Sequence, residues 1–395
     1  MAYATTKSTV VYVTEESVAE GTAVDPTLGT QAVGILADGY ELNLEKETVE
    51  RNLLRSGIQT QIPRTGIKTS TGTIGVEMAS SSTAGTEPDY DLLMQSLLGG
   101  RRQAAAAVTS GTGHTTAQIN IEDADIGDFA VGDIVLVKEA GAYHASPISA
   151  VDSSAGSANI TLLVAGDSAF SDNVVIEAFT TYYGTNSGHK SLTITSYLED
   201  AYEKQAFGVK VGSLSLDGFE TGGSASFNFG LAGLGMTHDT AASGLTASYG
   251  NAKPPIILEA CLYVDGTILP VNSVSLSVEN TVGRVTSTCS PNGILSQRMT
   301  QRAITGSITP YLDTANTNLF DKFDLTTEFS LFFRAWNPTG TTGEKQNAVS
   351  VFVPNCVITA LPDSDADGIR QFGLDFSAGE DESGTYASDI YFSYS

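Results

Sequence analysis

This 395-residue chain predicts an all-β fold: two tandem copies of one β-sandwich or barrel domain, each with a long hairpin and a short flanking helix, and a small β-barrel inserted in the first. Three observations carry that prediction. The chain repeats itself at an offset of 234 residues (274 − 40 = 234), which lays Tyr40-Leu42-Leu44-Glu45 on Val274-Leu276-Val278-Glu279, Ser56 on Ser290, and Gly72-Thr73-Ile74 on Gly306-Ser307-Ile308 without a gap. Each copy alternates apolar and polar residues on both sides of a loop, the pattern of two half-buried antiparallel strands. Composition agrees, because 40 Gly, 15 Tyr, 16 Phe, abundant Thr and Ser, and only 16% charged residues suit strands and turns better than helices.

Residues 1–37 are polar and Thr-rich, and read as an arm with little core of its own. The first copy occupies 38–103 and 185–233. Its hairpin is followed by the loop Ser80–Pro88 and by a helix over Asp89–Leu98, where Tyr90, Leu93 and Leu97 stand at helical spacing and Gly99-Gly100 stops the run. In the second copy, 256–395, the helix Asn318–Phe323 runs almost directly into the strand Glu328–Arg334. The matching strand of the first copy, Ser191–Tyr197, lies far downstream, so 104–184 reads as an inserted β-domain with strands near Phe129–Val137, Ile148–Val151 and Ile160–Val164. Because the second copy manages with a short connection at this point, the insertion is expected to be dispensable for folding of the domain that carries it. Beyond it, Val211–Leu216 corresponds to Val353–Ile358, and Phe227-Asn-Phe229 to Leu374-Asp-Phe376. Residues 234–255 form a linker, and Asp389–Tyr394 closes the second sheet.

Charge and chemistry exclude several functions. A net charge of −25 opposes binding of nucleic acid through phosphates, which requires clustered Lys and Arg. No run of 18 apolar residues and no signal-peptide plan occurs, so synthesis and folding in the cytosol are expected, with no membrane contact. Cys261, Cys289 and Cys356 are odd in number and lack metal spacing, which predicts free thiols. His114, His144, His189 and His238 sit in polar contexts without carboxylates at ligand spacing, and read as exposed. Asp363-Ser-Asp365-Ala-Asp367-Gly368 begins like a calcium loop, but Leu374 stands where the bidentate Glu belongs, so an acidic hairpin turn is the expectation. Neither a nucleophile motif nor a paired-carboxylate spacing is present; no enzymatic activity, cofactor or metal is expected.

What the hairpins do present is a one-sided polar row. Tyr40, Leu42 and Leu44 share one face of the first strand, and Glu41, Asn43, Glu45 and Glu47 the other. On the return strand the polar row holds Thr69, Thr71, Thr73 and Glu77. The second copy repeats it with Ser275, Ser277, Glu279 and Thr281, then Thr305, Ser307 and Thr309. Arg51, Arg55, Arg64, Arg284, Arg298 and Arg302 gather toward the hairpin ends, and basic tips on an acidic trunk suggest stacking of one molecule on the next.

The arm, the hairpin Leu42-Asn-Leu-Glu-Lys-Glu47 with Leu54-Arg-Ser-Gly57, then Gly72-Thr-Ile-Gly-Val-Glu77 and Pro88-Asp-Tyr-Asp-Leu-Leu93, together resemble the major tail tube proteins of long-tailed, siphovirus-like bacteriophages. The resemblance implies a structural virion protein, assembled in the host cytoplasm, whose hairpins join into a continuous barrel in each of a stack of rings. Closure would remove the exposed edges of such long flat hairpins. It further implies that the polar rows line a channel through which DNA passes without tight binding, and that the arginines serve ring stacking. Its partners would be further copies of itself, a tape measure protein in the lumen, and tail terminator and distal tail proteins. Two hairpin units per chain then predict a trimeric ring with pseudo-sixfold symmetry. The competing reading from another class is a surface carbohydrate-binding or adhesive β-protein with the insertion as its binding module.

Overall fold

The computed structural model describes residues 8–51, 53, 61–81, 83–199, 201–240, 242–250, 252–258, 260–290, 292–311, 318–336, 348–366 and 368–395. The first copy contributes β1 (Thr9–Glu15), β2 (Ala32–Val33), β3 (Ile35–Val49), β4 (Arg64–Glu77), α1 (Asp91–Leu98) and β5 (Gly99–Ala104). The insertion follows with β6 (Val108–Thr109), β7 (Gln118–Asn120), β8 (Ile134–Glu139), β9 (Ala142–Asp152), β10 (Asn159–Leu162) and β11 (Val175–Ile176). The chain returns through β12 (Phe179–Gly184), β13 (Leu192–Leu198), β14 (Tyr202–Asp217), β15 (Ser226–Gly233) and β16 (Gly235–Asp239). The second copy holds β17 (Leu262–Val264), β18 (Thr267–Leu269), β19 (Val271–Thr286), β20 (Ile294–Pro310), α2 (Asn318–Asp324), β21 (Phe329–Ala335), β22 (Val349–Ala360), β23 (Asp363–Ala366), β24 (Ile369–Phe372), β25 (Leu374–Ala378) and β26 (Tyr391–Tyr394).

An all-β architecture results, and the two copies superpose strand for strand in their pairing. β1, β2, β3, β4, α1, β13, β14 and β15 recur as β17, β18, β19, β20, α2, β21, β22 and β25. The long strands β14 and β22 each serve two sheets: their N-terminal halves pair with β13 and β21, and their C-terminal halves with β15 and β25. A bulge lets the strand turn from one layer to the other, and it falls between Val211 and Ser213 in one copy and between Ile358 and Ala360 in the other.

That coincidence corrects the correspondence read from the sequence. Val211 matches Ile358 rather than Val353, and Phe229, opposite Ile74, matches Leu374, opposite Ile308. The slip at Phe229 is two residues (376 − 374 = 2), which a period-two pattern cannot detect, and at Val211 it is five (358 − 353 = 5), next to a bulge that breaks the alternation, so only the ladder distinguishes the registers. The arm also needs correction. β1 pairs along its whole length with β13, and Val11 and Val13 are buried in the common core.

Packing joins the copies into one body, since a single apolar core includes Leu42, Ile74, Leu93, Leu97 and Phe229 of the first together with Val278, Ile308, Phe333 and Phe376 of the second. α1 buries Leu93, Met94, Leu97 and Leu98 and ends at Gly99, whose φ of 88° only glycine adopts without strain. The inserted domain is a six-stranded sheet in the order β6-β11-β8-β9-β10-β7, with its own core around Ile119, Val135, Val137 and Ile160. Its limits are narrower than expected: β12, inside the predicted span, pairs with β5 and with the C-terminal β26 as part of the main sheet.

The insertion arises in the first copy and docks on the second. Ile134, Leu136, Tyr143, Ala145 and Val164 pack against Tyr263, Phe332, Phe352 and Tyr391. At the seam Arg102 donates to the fully buried Asp133 at 2.9 Å, and burial pushes that carboxyl up to about 6 despite the guanidinium beside it.

The three cysteines are free thiols. Of the histidines only His238 is exposed. Those at 114, 144 and 189 are half-buried and bonded, His189 through Nδ1 to Ser96 O at 3.0 Å, because an imidazole in a polar stretch can bridge backbone groups as readily as face solvent. The Asp363 stretch forms the hairpin β23–β24, where Asp365 accepts the Gly368 N–H at 3.1 Å; Asp367 lies outside the described residues.

Candidate functional site

Eight strands form one antiparallel surface in the order β3-β4-β15-β14-β19-β20-β25-β22, and their outward side chains make the candidate site. Period-two alternation sorts the side chains: Leu42, Ile74, Phe229, Leu214, Val278, Ile304 and Phe376 go to the core, and their neighbours go out. Directly paired residues share a face, so rows run across the strands. One row is Glu41–Thr73–Gly230–Ser213–Glu279, and another is Asn228–Ser215–Ser277–Thr305–Ser377.

The sequence-predicted lining residues converge here. Glu41, Asn43, Glu45, Glu47, Glu77, Ser275, Glu279, Thr281 and Thr305 are exposed, and Thr71, Thr73, Ser277, Ser307 and Thr309 are half-exposed; Thr69 is the exception, closed off at 6% exposure. Hydroxyls and amides are spent on neighbouring acceptors: Thr71 donates to Glu45 at 2.9 Å, and Asn43 to Glu41 at 2.6 Å. Sequence reasoning missed the middle of the surface. Ser213, Ser215, Asp217 and Asn228 bridge the two hairpins, while Thr359, Asp375 and Ser377 extend the second. Their alternation was visible in Ser213-Leu-Ser-Leu-Asp217, but nothing local says which strands it joins. Between the hairpins the surface dips into a shallow depression of about 410 Å³ lined by Ser215, Asp217, Ser277, Thr305, Asp375 and Ser377 among others. Seven carboxylates stand on this face (Glu41, Glu45, Glu47, Glu77, Asp217, Glu279 and Asp375), and none of the positions named on it carries Lys or Arg.

The predicted arginines separate. Arg51, Arg64, Arg284 and Arg298 are exposed toward the hairpin ends, and Arg55 lies outside the described residues. Arg302 is committed within the chain and cannot serve as a stacking contact. It donates to Asn280 Oδ1 at 3.3 Å, Asp389 Oδ1 at 2.9 Å, Leu98 O at 3.3 Å and Thr185 O at 3.1 Å, which uses four of its five N–H groups. Its paired neighbour Asn280 donates to Leu97 O at 2.8 Å. Hairpin two is thereby bolted to the C-terminal end of α1 in the first copy.

The surface has two ends that the chain does not cover. β14 of the first copy pairs with β19 of the second through Ser213–Glu279, Leu214–Val278, Ser215–Ser277 and Leu216–Leu276. At the ends of the same surface, among the described residues, β3 pairs only with β4, and β22 beyond Cys356 pairs only with β25. Toward the described residues each edge leaves outward N–H and C=O groups unpaired, a template for a further strand. Among the described residues no group of side chains could hold a metal ion, and no helix is long and apolar enough to cross a membrane.

The scaffold is a tandem all-β one with a carboxylate and hydroxyl face flanked by two strand edges, built as a structural rather than a ligand-enclosing surface. The chain belongs to the phage tail tube protein family, which matches residues 5–378 and makes it a structural component of the virion tail. No curated protein matches it.

Proposed function

We propose that three copies close into a ring with pseudo-sixfold symmetry, that the rings stack into the tail tube, and that the eight-strand face of each copy lines a channel through which DNA passes. The observation that carries the ring is the junction of β14 with β19. Carrying it by the internal repeat from the first copy to the second sets Ala360 opposite Glu45 of the next chain, Leu361 opposite Leu44, and Asp363 opposite Leu42. Pro362 falls between and has no N–H to offer. Its carbonyl already accepts Gly373 N–H at 2.8 Å on the inner side, so the outward backbone groups are those of Leu361 and Asp363, and the edge loses no bond.

A heterologous contact that repeats around an axis closes when the rotation divides a full turn, and two units per chain make a six-unit ring from three chains. The acidic face suits passage of a polyanion, because carboxylates that form no ion pair among the described residues repel phosphates. The lumen would hold a tape measure protein before DNA enters, and the tube ends would meet terminator and distal tail proteins. The insertion, on the side opposite the polar face, would decorate the outer wall. Negative-stain microscopy and native mass of the purified chain test the reading: hollow rods built from three-chain rings are expected. Six-chain rings would overturn the stoichiometry, and discrete monomers that bind glycans would overturn the tube.

A further inference from the structure

The end of α2 is exposed where the end of α1 is covered. α1 is closed off by Asn280 and Arg302, which stand opposite each other on β19 and β20 and reach the carbonyls of Leu97 and Leu98. α2 has the same place in the second copy, and backbone N–H groups of Leu325, Thr326 and Thr327 close its carbonyls at Asp321, Phe323 and Lys322, yet no side chain among the described residues covers it as Asn280 and Arg302 cover α1. Phe320, Phe323 and Leu325 are 44%, 43% and 72% exposed, Asp321, Asp324 and Glu328 are exposed as well, and its one basic residue, Lys322, is turned to Asp265 at 2.7 Å. The 234-residue offset carries Asn280 to Lys46 and Arg302 to Lys68 (280 − 234 = 46; 302 − 234 = 68). These two lysines also stand opposite each other, on β3 and β4, at the outer end of the core-facing row, and both are exposed.

We propose that the C-terminal end of α2 is a docking surface for a second copy of this chain, whose Lys46 and Lys68 take there the places of Asn280 and Arg302 at the end of α1. This rests on the ring reading above and names its second contact, beside the strand edge. Two cations meet Asp321 and Asp324, beside a Lys322 whose charge Asp265 already engages at 2.7 Å, which complements charge in a chain whose net charge of −25 otherwise opposes self-association. The lysine stems would cover Phe320 and Phe323. The replacement of Asn and Arg by two Lys also differs in kind. The inner junction is a fixed guanidinium network, whereas the junction between chains is made of mobile point charges, so it is sensitive to salt and forms only on assembly.

Two measurements decide it. In a background with the native cysteines changed to serine, Lys46→Cys chains mixed with Asp324→Cys chains are expected to give a disulfide-linked pair on mild oxidation, and neither variant alone should do so. Separately, Lys46→Glu with Lys68→Glu should raise the protein concentration needed for assembly at least roughly tenfold while circular dichroism stays that of the parent, since like charges facing across an interface are strongly unfavourable. Adding Asp321→Lys and Asp324→Lys should restore assembly. Rods without the cross-link, or unaltered assembly of the double glutamate variant, would overturn this contact and leave the tube standing. The cross-link without rods would uphold the contact and overturn the tube; neither cross-link nor rods would overturn both.

Discussion

At the scale of single residues, the fold relies on a few polar groups placed where apolar side chains would be expected. Arg302 joins hairpin two to α1 and the residues around it through four hydrogen bonds, so Arg302→Ala removes the cation paired with Asp389 and one of the donors to each of Leu98 O and Thr185 O, which keep Thr185 N–H and His189 Nε2. A loss of about 2–4 kcal/mol in urea unfolding is expected, against less than about 0.5 kcal/mol for the exposed Arg284→Ala or Arg298→Ala. Equal effects would mean that the network does not hold the copies together. Asp133 gives a pH signature. Its folded pKa, pushed up to about 6, lies above the ordinary carboxylate value, so the folded chain keeps a proton that the unfolded chain loses first. Its contribution to stability therefore falls as pH rises from about 4 to about 6 and is level above. Asp133→Asn should remove that slope, read as the difference between variant and parent in unfolding midpoints at pH 4.5 and 6.5, on the order of 1–3 kcal/mol. Gly72 and Gly306 show why the duplicated glycine is needed: a Cβ at either would fall within contact distance of the carbonyl oxygen of the paired strand, at Glu41 or Ser275.

Among the elements, the insertion departs most from its expected role. A domain dispensable for folding could be removed without consequence, yet this one covers Tyr263, Phe332, Phe352 and Tyr391 on the second copy. In the first copy the matching outer layer carries Tyr12 and Tyr197 and is covered by Leu245 and Ala247 of the linker. Each copy thus has its own cover, one from the linker and one from the insertion. Exposing four aromatic rings forfeits on the order of 5 kcal/mol or more. Replacing 105–178 by a Gly/Ser linker is therefore expected to reduce soluble yield and lower the melting temperature, rather than to leave the fold intact. Unchanged thermal unfolding of the deletion variant would show that the docking contributes little.

For the whole molecule, the proposed ring would continue the eight-strand surface of each copy into that of the next. Glu41, Glu45 and Glu279 point away from the core, so their triple change to Lys should leave the circular dichroism and melting temperature of the chain nearly unchanged. If the face lines a channel, phage carrying this variant should assemble tails but deliver DNA slowly or not at all, scored by plaque formation and by potassium efflux. Normal infection with the triple variant would place the acidic face elsewhere than on the path of DNA.

The sequence by itself determined the all-β class, the duplication, both helices, the existence of the insertion and the polar rows of the two hairpins. These are local properties: alternation, spacing and an offset can be read along one strand. Only the tertiary structure decided the register of Val211 with Ile358, the pairing of β14 with β19, the docking of the insertion on the other copy, and the withdrawal of Arg302 into a buried network. Each depends on which distant strand lies alongside. A period-two pattern fixes a face and leaves the neighbour open, and an arginine near a hairpin end reads the same whether solvent or a helix terminus awaits it. β1 shows the limit most plainly, because a Thr-rich stretch resembles an exposed arm until β13 supplies its partner and buries Val11 and Val13.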